Sequence, residues 1–255
     1  SLVHLYRRLT SADVRYVGKV EVAEATKVIE NVQRDINIAL VNELAQIFPE
    51  LDLDVEDVLS AAATKWNFHR YTPGIGVGGH CIPVDPYYMM QRAQEVGVPA
   101  ELITAARAVN RMMPRHVAGV LRELMYQSGV PAGEGRVLFL GWSYKAGVGD
   151  ARETPTEPLA QNLIESSISV STWDPYLSAE DIPDGIGIID EIETADGFDL
   201  VVLATAHPEC MEIDWGALHA RMRTPILYDG RRVLDLDAMQ AMGWMANAVG
   251  SPPRY

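Results

Sequence analysis

Cysteine is scarce in this chain: Cys81 and Cys210 are the only two in 255 residues. That excludes a disulfide scaffold and fits a reducing, cytoplasmic setting. No Cys/His spacing of the zinc type occurs, so no metal is expected. No run of about 18 apolar residues appears, and no membrane span is expected. The opening "SLVHLYRRLT" lacks a signal-peptide pattern. Lysine is scarcer still than its charge class suggests: of 21 cationic residues four are lysine (Lys19, Lys27, Lys65, Lys145) and 17 arginine. Salt adaptation and GC-rich coding explain this equally well. The net charge of −14 argues against nucleic acid as a partner. An acidic protein that binds an anion must build a local cationic site against its own field. Hydrophobic residues make up 48% of the chain, enough for substantial cores, and the length suits one large or two ordinary domains.

The first half reads as helical. Residues 1–13 look like the last helix of a preceding unit, and "RYVGKV" reads as a short extended piece. From Ala23 to Phe48 no Gly or Pro occurs and apolar residues recur at helical spacing, giving a helix about 39 Å long that Pro49 stops. "DVEDVLSAAAT" predicts a short helix, and Asp85 to Glu95 another. "PAELITAARAVNRMM" and "PRHVAGVLRELMYQSG" predict two more, each opened by proline. At "GVPAGEG" the pattern changes. "RVLFLG", "SVSTWDP", "DLVVLAT" and "PILYDG" read as four strands, with a helix in "TPTEPLAQNLIES" capped by threonine and opened by Pro155. The 178–198 stretch is acidic and irregular, and "SPPRY" reads as a frayed tail. The fold class is therefore α/β: an all-α central domain built on the long helix, then a Rossmann-like parallel α/β domain. The expected divisions are 1–20, 21–130, 131–250 and 251–255. Ligands on such sheets sit at the carboxyl ends of strands, here "GWSYKAG", "DP", "TAH" and "DGRR". The long apolar helix exceeds what one small domain covers, which predicts a homodimer packed through it.

Chemistry concentrates in a few places. Lys27 and Asn31, four apart, share one helix face; an exposed lysine beside a polar stripe is the plainer reading. Cys81 lies in "GIGVGGHCIPVDPYY", where glycines let backbone approach a ligand and a helix starting just after favours a thiolate. A tight loop with a buried thiol is the alternative. Asp85 follows four residues on. Lys145, Arg152, Arg231 and Arg232 are single surface charges taken alone, but at neighbouring strand ends they make a plausible anion site. Cys210 has no such setting and reads as a packing residue. His207 either touches a ligand or caps a loop.

"AEATKVIENVQRDINIALVNELA", "PGIGVGGHCIPVDPYY", "GWSYKAGVGDARETP" and "YDGRRVLD" together resemble the UDP-glucose/GDP-mannose dehydrogenase family, in family order from about Leu2 to Gly250. The "GGHCIPVDP" form resembles the UDP-N-acetylglucosamine and UDP-N-acetylmannosamine branches more than the UDP-glucose branch, which carries lysine where Val84 stands. The resemblance implies an NAD-dependent oxidation of a UDP-sugar C6 hydroxyl to the acid. Cys81 would be the nucleophile, forming a thiohemiacetal and then a thioester. Lys27 and Asn31 would hold the C6 oxygen. Asp85 would order the water or lysine of proton transfer. Lys145 would meet the diphosphate, with Arg231 and Tyr71 on the substrate, Gly76, Gly78 and Gly79 along the sugar-nucleotide, and Arg152 on the NAD diphosphate. Lys65 or Arg70 would serve the partner subunit's site. The family opens with an NAD-binding Rossmann domain whose strand–G-x-G-x-x-G–helix is not found at this chain's start, so the expectation is a central-plus-C-terminal part, inactive alone. The rival reading is a non-catalytic UDP-sugar-binding or dimerisation module. A weaker rival, another cysteine enzyme, would need a general base such as His80.

Overall fold

Helix α1 (Leu2–Leu9) buries no residue, and the stretch after it forms no strand where "RYVGKV" was expected to be extended. The computed structural model describes residues 2–252. Helix α2 (Val20–Ile47) begins three residues before the expected start and runs uninterrupted because nothing in it breaks an i→i−4 ladder. Its buried face mixes Val32, Ala39, Val41 and Ala45 with three polar residues, Asn31, Asp35 and Asn42. Pro49 opens a single 3₁₀ turn at its end. Helix α3 (Val55–Ala62) is capped by Asp54, whose carboxylate accepts from the Glu56 amide at 2.7 Å. Helix α4 (Asp85–Glu95) starts with Pro86 in its first turn.

Helix α5 (Glu101–Gln127) corrects the sequence reading. The two helices expected around Pro114 are one helix of 27 residues with Pro114 inside it. Its buried stripe continues at helical spacing across the proline: Ala106, Asn110, Met113, Val117, Leu121, Leu124. One lost backbone hydrogen bond costs less than splitting that stripe.

The remaining elements form a parallel sheet with helices on both faces. The strands are β1 (Arg136–Leu140), β2 (Ser169–Trp173), β3 (Gly187–Ile188), β4 (Leu200–Leu203), β5 (Ile226–Asp229) and β6 (Met245–Ala248), in the order β3-β2-β1-β4-β5-β6. This is the doubly wound order, with its switch point between β1 and β4. The helices are α6 (Thr156–Ile164), α7 (Trp215–Ala220) and α8 (Leu236–Ala241). The four expected strands are present; β3 and β6 were not foreseen, because two residues of "GI" and the mixed "MANA" carry too little apolar periodicity. Alternation along the strands sends Val137, Phe139, Val202 and Tyr228 to one core and Leu138, Leu140, Val201 and Leu227 to the other. The first core also contains Val41, Ala45, Val55 and Leu59, so α2, α3 and α5 share one apolar interior with the sheet. The end of the chain is less frayed than expected: Ser251 is buried and its hydroxyl donates to the Ala248 carbonyl at 2.9 Å. The last three residues of "SPPRY" lie outside the described residues.

Candidate functional site

The glycine loop hangs from a chain of buried polar groups between α2 and α5. Arg107 donates to the carboxylate of Asp35, which also accepts from Asn110 Nδ2 at 2.8 Å. Asn42 Nδ2 donates to Asn110 Oδ1 at 2.9 Å, and Asn42 Oδ1 accepts from the backbone amide of Gly74 at 2.9 Å. Asp35 and Asn42 lie on the buried face of α2, seven residues apart. Polar residues at two turns' spacing within an apolar stripe were the available signal for this network, and the sequence reading passed over it. Burial pushes the Asp35 carboxyl up, against the pull of Arg107 and Asn110.

Beyond Gly74 the loop crosses onto the sheet. A Cβ on Gly78 would lie 2.8 Å from the Glu153 carbonyl oxygen and 2.7 Å from Pro155 Cδ. Gly79 has φ +89°, and a Cβ there would lie 2.7 Å from Tyr144 Cε2. Gly76 packs likewise against Pro155 and Pro114. These glycines thus let the loop lie flat on the β1–α6 connection. Cys81 follows, exposed, in a turn whose carbonyl accepts from the amides of Val84 and Asp85 at the head of α4. Asp85 Oδ2 accepts from Asn31 Nδ2 at 2.6 Å, which joins two of the expected site residues beside the thiol loop. Lys27 is exposed, with its ammonium 3.5 Å from Glu30. Tyr71 is half-buried against the first core. His80 meets Tyr144 edge-on at 6.5 Å. Arg70 is drawn away to Glu56 and Ser60 within its own chain.

The strand ends under this loop carry the cations. Lys145 is exposed on the β1–α6 connection. Arg231, after β5, is half-buried; its Nε donates to the Ala204 carbonyl, and a Cβ on Gly74 would lie 3.4 Å from its Nη1. Burial of the guanidinium pulls its pKa down to about 10. Arg232, at φ +58°, turns away to pair with Asp54 and ties the β5 end to α3. Arg152 is held by both carboxylate oxygens of Asp150, and that hydrogen bonding lowers the Asp150 pKa to about 2. His207 resolves to the loop-capping alternative: it is fully buried, with Nδ1 accepting from the Gly147 amide at 3.1 Å. Cys210 is buried as expected, and burial pushes its thiol up to about 12.

Residues 21–112 match the central-domain model of the UDP-glucose/GDP-mannose dehydrogenase family, and residues 138–236 match its UDP binding domain. The chain belongs to this family. It is 41% identical over 237 residues to the UDP-N-acetyl-D-glucosamine 6-dehydrogenase of Pseudomonas aeruginosa, covering 91% of this chain and 56% of the relative. It is 35% identical to the UDP-N-acetyl-D-mannosamine dehydrogenase of Pyrococcus horikoshii, covering 90% and 52%. The solved structure of a UDP-D-ManNAc dehydrogenase from the latter organism superposes with a TM-score of 0.85 at 31% identity, covering 98% of this chain and 57% of that one. The chain thus spans about half the length of the curated relatives it matches.

NAD, which the family resemblance implies, needs an open helix N-terminus for its diphosphate and a free carboxylate for its ribose. In the sheet of this family member the N-terminus of α6 lies under the glycine loop at Pro155. The carboxylate at the end of β2, Asp174, is 1% exposed and taken up by protein donors. Arg152, the residue expected for the diphosphate, is engaged by Asp150. The described residues do not fit a dinucleotide.

Proposed function

We propose that this chain is the UDP-sugar-binding and thiol-bearing part of an NAD-dependent nucleotide-sugar 6-dehydrogenase, divided at about 131 between a central and a UDP-binding unit. UDP-N-acetylhexosamines or UDP-glucose are its substrates. The observation that carries the reading is the packing of the Cys81 loop, through Gly78 and Gly79, directly onto the connection that bears Lys145. One surface thereby offers cations for a diphosphate and a thiol for the sugar's C6.

In this arrangement Lys145 and Arg231 flank the diphosphate from two strand ends, and the sugar extends along Gly76–Gly79 beside Tyr71 toward Cys81. Asn31 gives one amide hydrogen to Asp85, which fixes the carboxamide and leaves its second hydrogen for the C6 oxygen. Lys27, one turn earlier on α2, swings from Glu30 to the same oxygen. Cys81 Sγ adds to the C6 aldehyde: the S–C bond forms, the carbonyl electron pair moves to oxygen, and that oxygen takes a proton. Once the thiohemiacetal has given up its hydride and become a thioester, Asp85 orders the water that hydrolyses it to the acid and the free thiol. Hydride acceptance falls to NAD and lies beyond these side chains. The exposed Val20, Val22, Ile29 and Leu40 of α2 are the surface for a second copy, and Lys65 is the cation offered to that partner's site. Among the described residues no helix is long and apolar enough to cross a membrane; the reading places the enzyme in the cytoplasm.

Titration calorimetry with UDP tests this reading. The expected result is binding at millimolar affinity or tighter, weakened about tenfold by Lys145→Gln, the worth of one charge-assisted contact. No heat at millimolar UDP contradicts it.

A further inference from the structure

A buried pair grips the connection on both sides of Lys145. Two residues before it, Ser143 donates to Asp174 Oδ2 from its amide at 2.8 Å and from its hydroxyl at 2.9 Å. The Trp142 amide donates to the same oxygen at 2.8 Å, and the Tyr176 amide to the other oxygen at 2.9 Å. Two residues after Lys145, the Gly147 amide donates to His207 Nδ1 at 3.1 Å. The circuit closes where His207 Nε2 meets Asp174 Oδ2 at 3.1 Å. The imidazole thus spans donor and acceptor in one tautomer, Nε2–H toward the carboxylate. Its side chain is wholly buried and that of Asp174 is 1% exposed. Tyr176 stacks on the imidazole at 4.9 Å and donates its hydroxyl to Glu209 at 2.8 Å, which shields the pair from water. Thr205 completes the enclosure by donating to the Ser143 carbonyl.

A loop lysine on a flexible stem loses conformational freedom when it binds phosphate, and a pre-ordered backbone reduces that cost. We propose that Asp174 and His207 are positioning residues for nucleotide-diphosphate recognition, acting through Lys145. They touch no ligand. They fix the backbone at positions 143 and 147, so that the intervening cation is presented at the C-terminal end of β1, beside the switch point. Tyr144, within the gripped segment, is the surface on which Gly79 rests, so the same pair also sets the seat of the thiol loop. The inference rests on the reading of Lys145 as the diphosphate cation.

A double-mutant cycle on UDP affinity, measured by calorimetry, separates the two. His207→Ala alone is expected to raise the UDP dissociation constant about tenfold. In a Lys145→Gln background the same change is expected to alter it less than about twofold, because the residue through which it acts is already gone. A purely structural role would give multiplicative losses, and that result overturns the proposal, as does an unchanged affinity in His207→Ala when Lys145→Gln is weakened. If Lys145→Gln itself binds UDP normally, the reading of Lys145 falls and this inference with it. Should His207→Ala not fold, Ser143→Ala removes only the hydroxyl on Asp174 and runs the same cycle, with an expected loss of about threefold.

Discussion

The two thiols of this chain differ by environment alone. Cys210 lies 3.5 Å from the Thr205 carbonyl in the second core, and its raised pKa keeps it a thiol at any physiological pH. Cys81 is exposed at the head of a helix. Iodoacetamide at about pH 8 should therefore label Cys81 and spare Cys210 until denaturant is added, as peptide mass spectrometry would show; early labelling of Cys210 would contradict the burial. In an enzyme preparation that turns over UDP-sugar, Cys81→Ser should stop acid formation after the first oxidation, seen as loss of steady-state NADH production. Unchanged production would remove the nucleophile. Asp174 provides the pH signature. Burial raises its pKa, but hydrogen bonds from His207, Ser143, Trp142 and Tyr176 outweigh that, and the folded value lies below the usual carboxylate range. A carboxyl depressed on folding stabilises above its unfolded pKa, about 3.9, and loses that contribution as pH falls through the folded value. Urea stability should thus fall progressively as pH drops below about 5, the loss continuing down to the depressed folded value, and Asp174→Asn should flatten part of that slope. An unchanged slope would mean the carboxylate titrates normally. At this scale the sequence was half legible. A cysteine among glycines stood out, because that residue type in that loop has little packing value. Asp174 and His207 did not, because nothing local shows that residues 33 apart lie within hydrogen-bond distance.

At the scale of elements, the long helices carry both the core and the polar chain that holds the loop. Arg107 and Asp35 are almost fully enclosed, and removing one leaves the other buried without its charge partner. Arg107→Met should lower the unfolding free energy by about 3–5 kcal/mol, read from urea midpoints, and Asp35→Asn on top of it should restore most of the loss. A loss under about 1 kcal/mol would mean that the pair is not the anchor described here. Element types were largely legible, because α2 and the inner strands carry clear apolar patterns. The failures have physical causes. Pro114 signals a helix start by its local chemistry, but the continuous stripe of α5 overrides it. Strand β3 pairs through two residues only, too short for any period to register.

For the whole molecule, the central helices and the sheet close on one interior, and the proposed site lies where they meet. Composition anticipated the two parts; it did not show that the Cβ side of the glycine loop would be packed against protein. Tyr144 and Pro155 occupy the space their missing Cβ atoms leave, a long-range contact that sequence spacing does not encode. The consequence is that the thiol loop and the connection that bears Lys145 are one surface, and under the proposed function a ligand held by Lys145 should shield the thiol. The rate of Cys81 alkylation in the presence of UDP-N-acetylglucosamine measures this directly. Nucleotide sugar at about five times its dissociation constant should slow the reaction severalfold, and Lys145→Gln should cut the protection to less than about twofold at the same ligand concentration. An alkylation rate indifferent to the nucleotide sugar, under conditions where calorimetry shows it bound, would place thiol and nucleotide in separate sites and contradict the account.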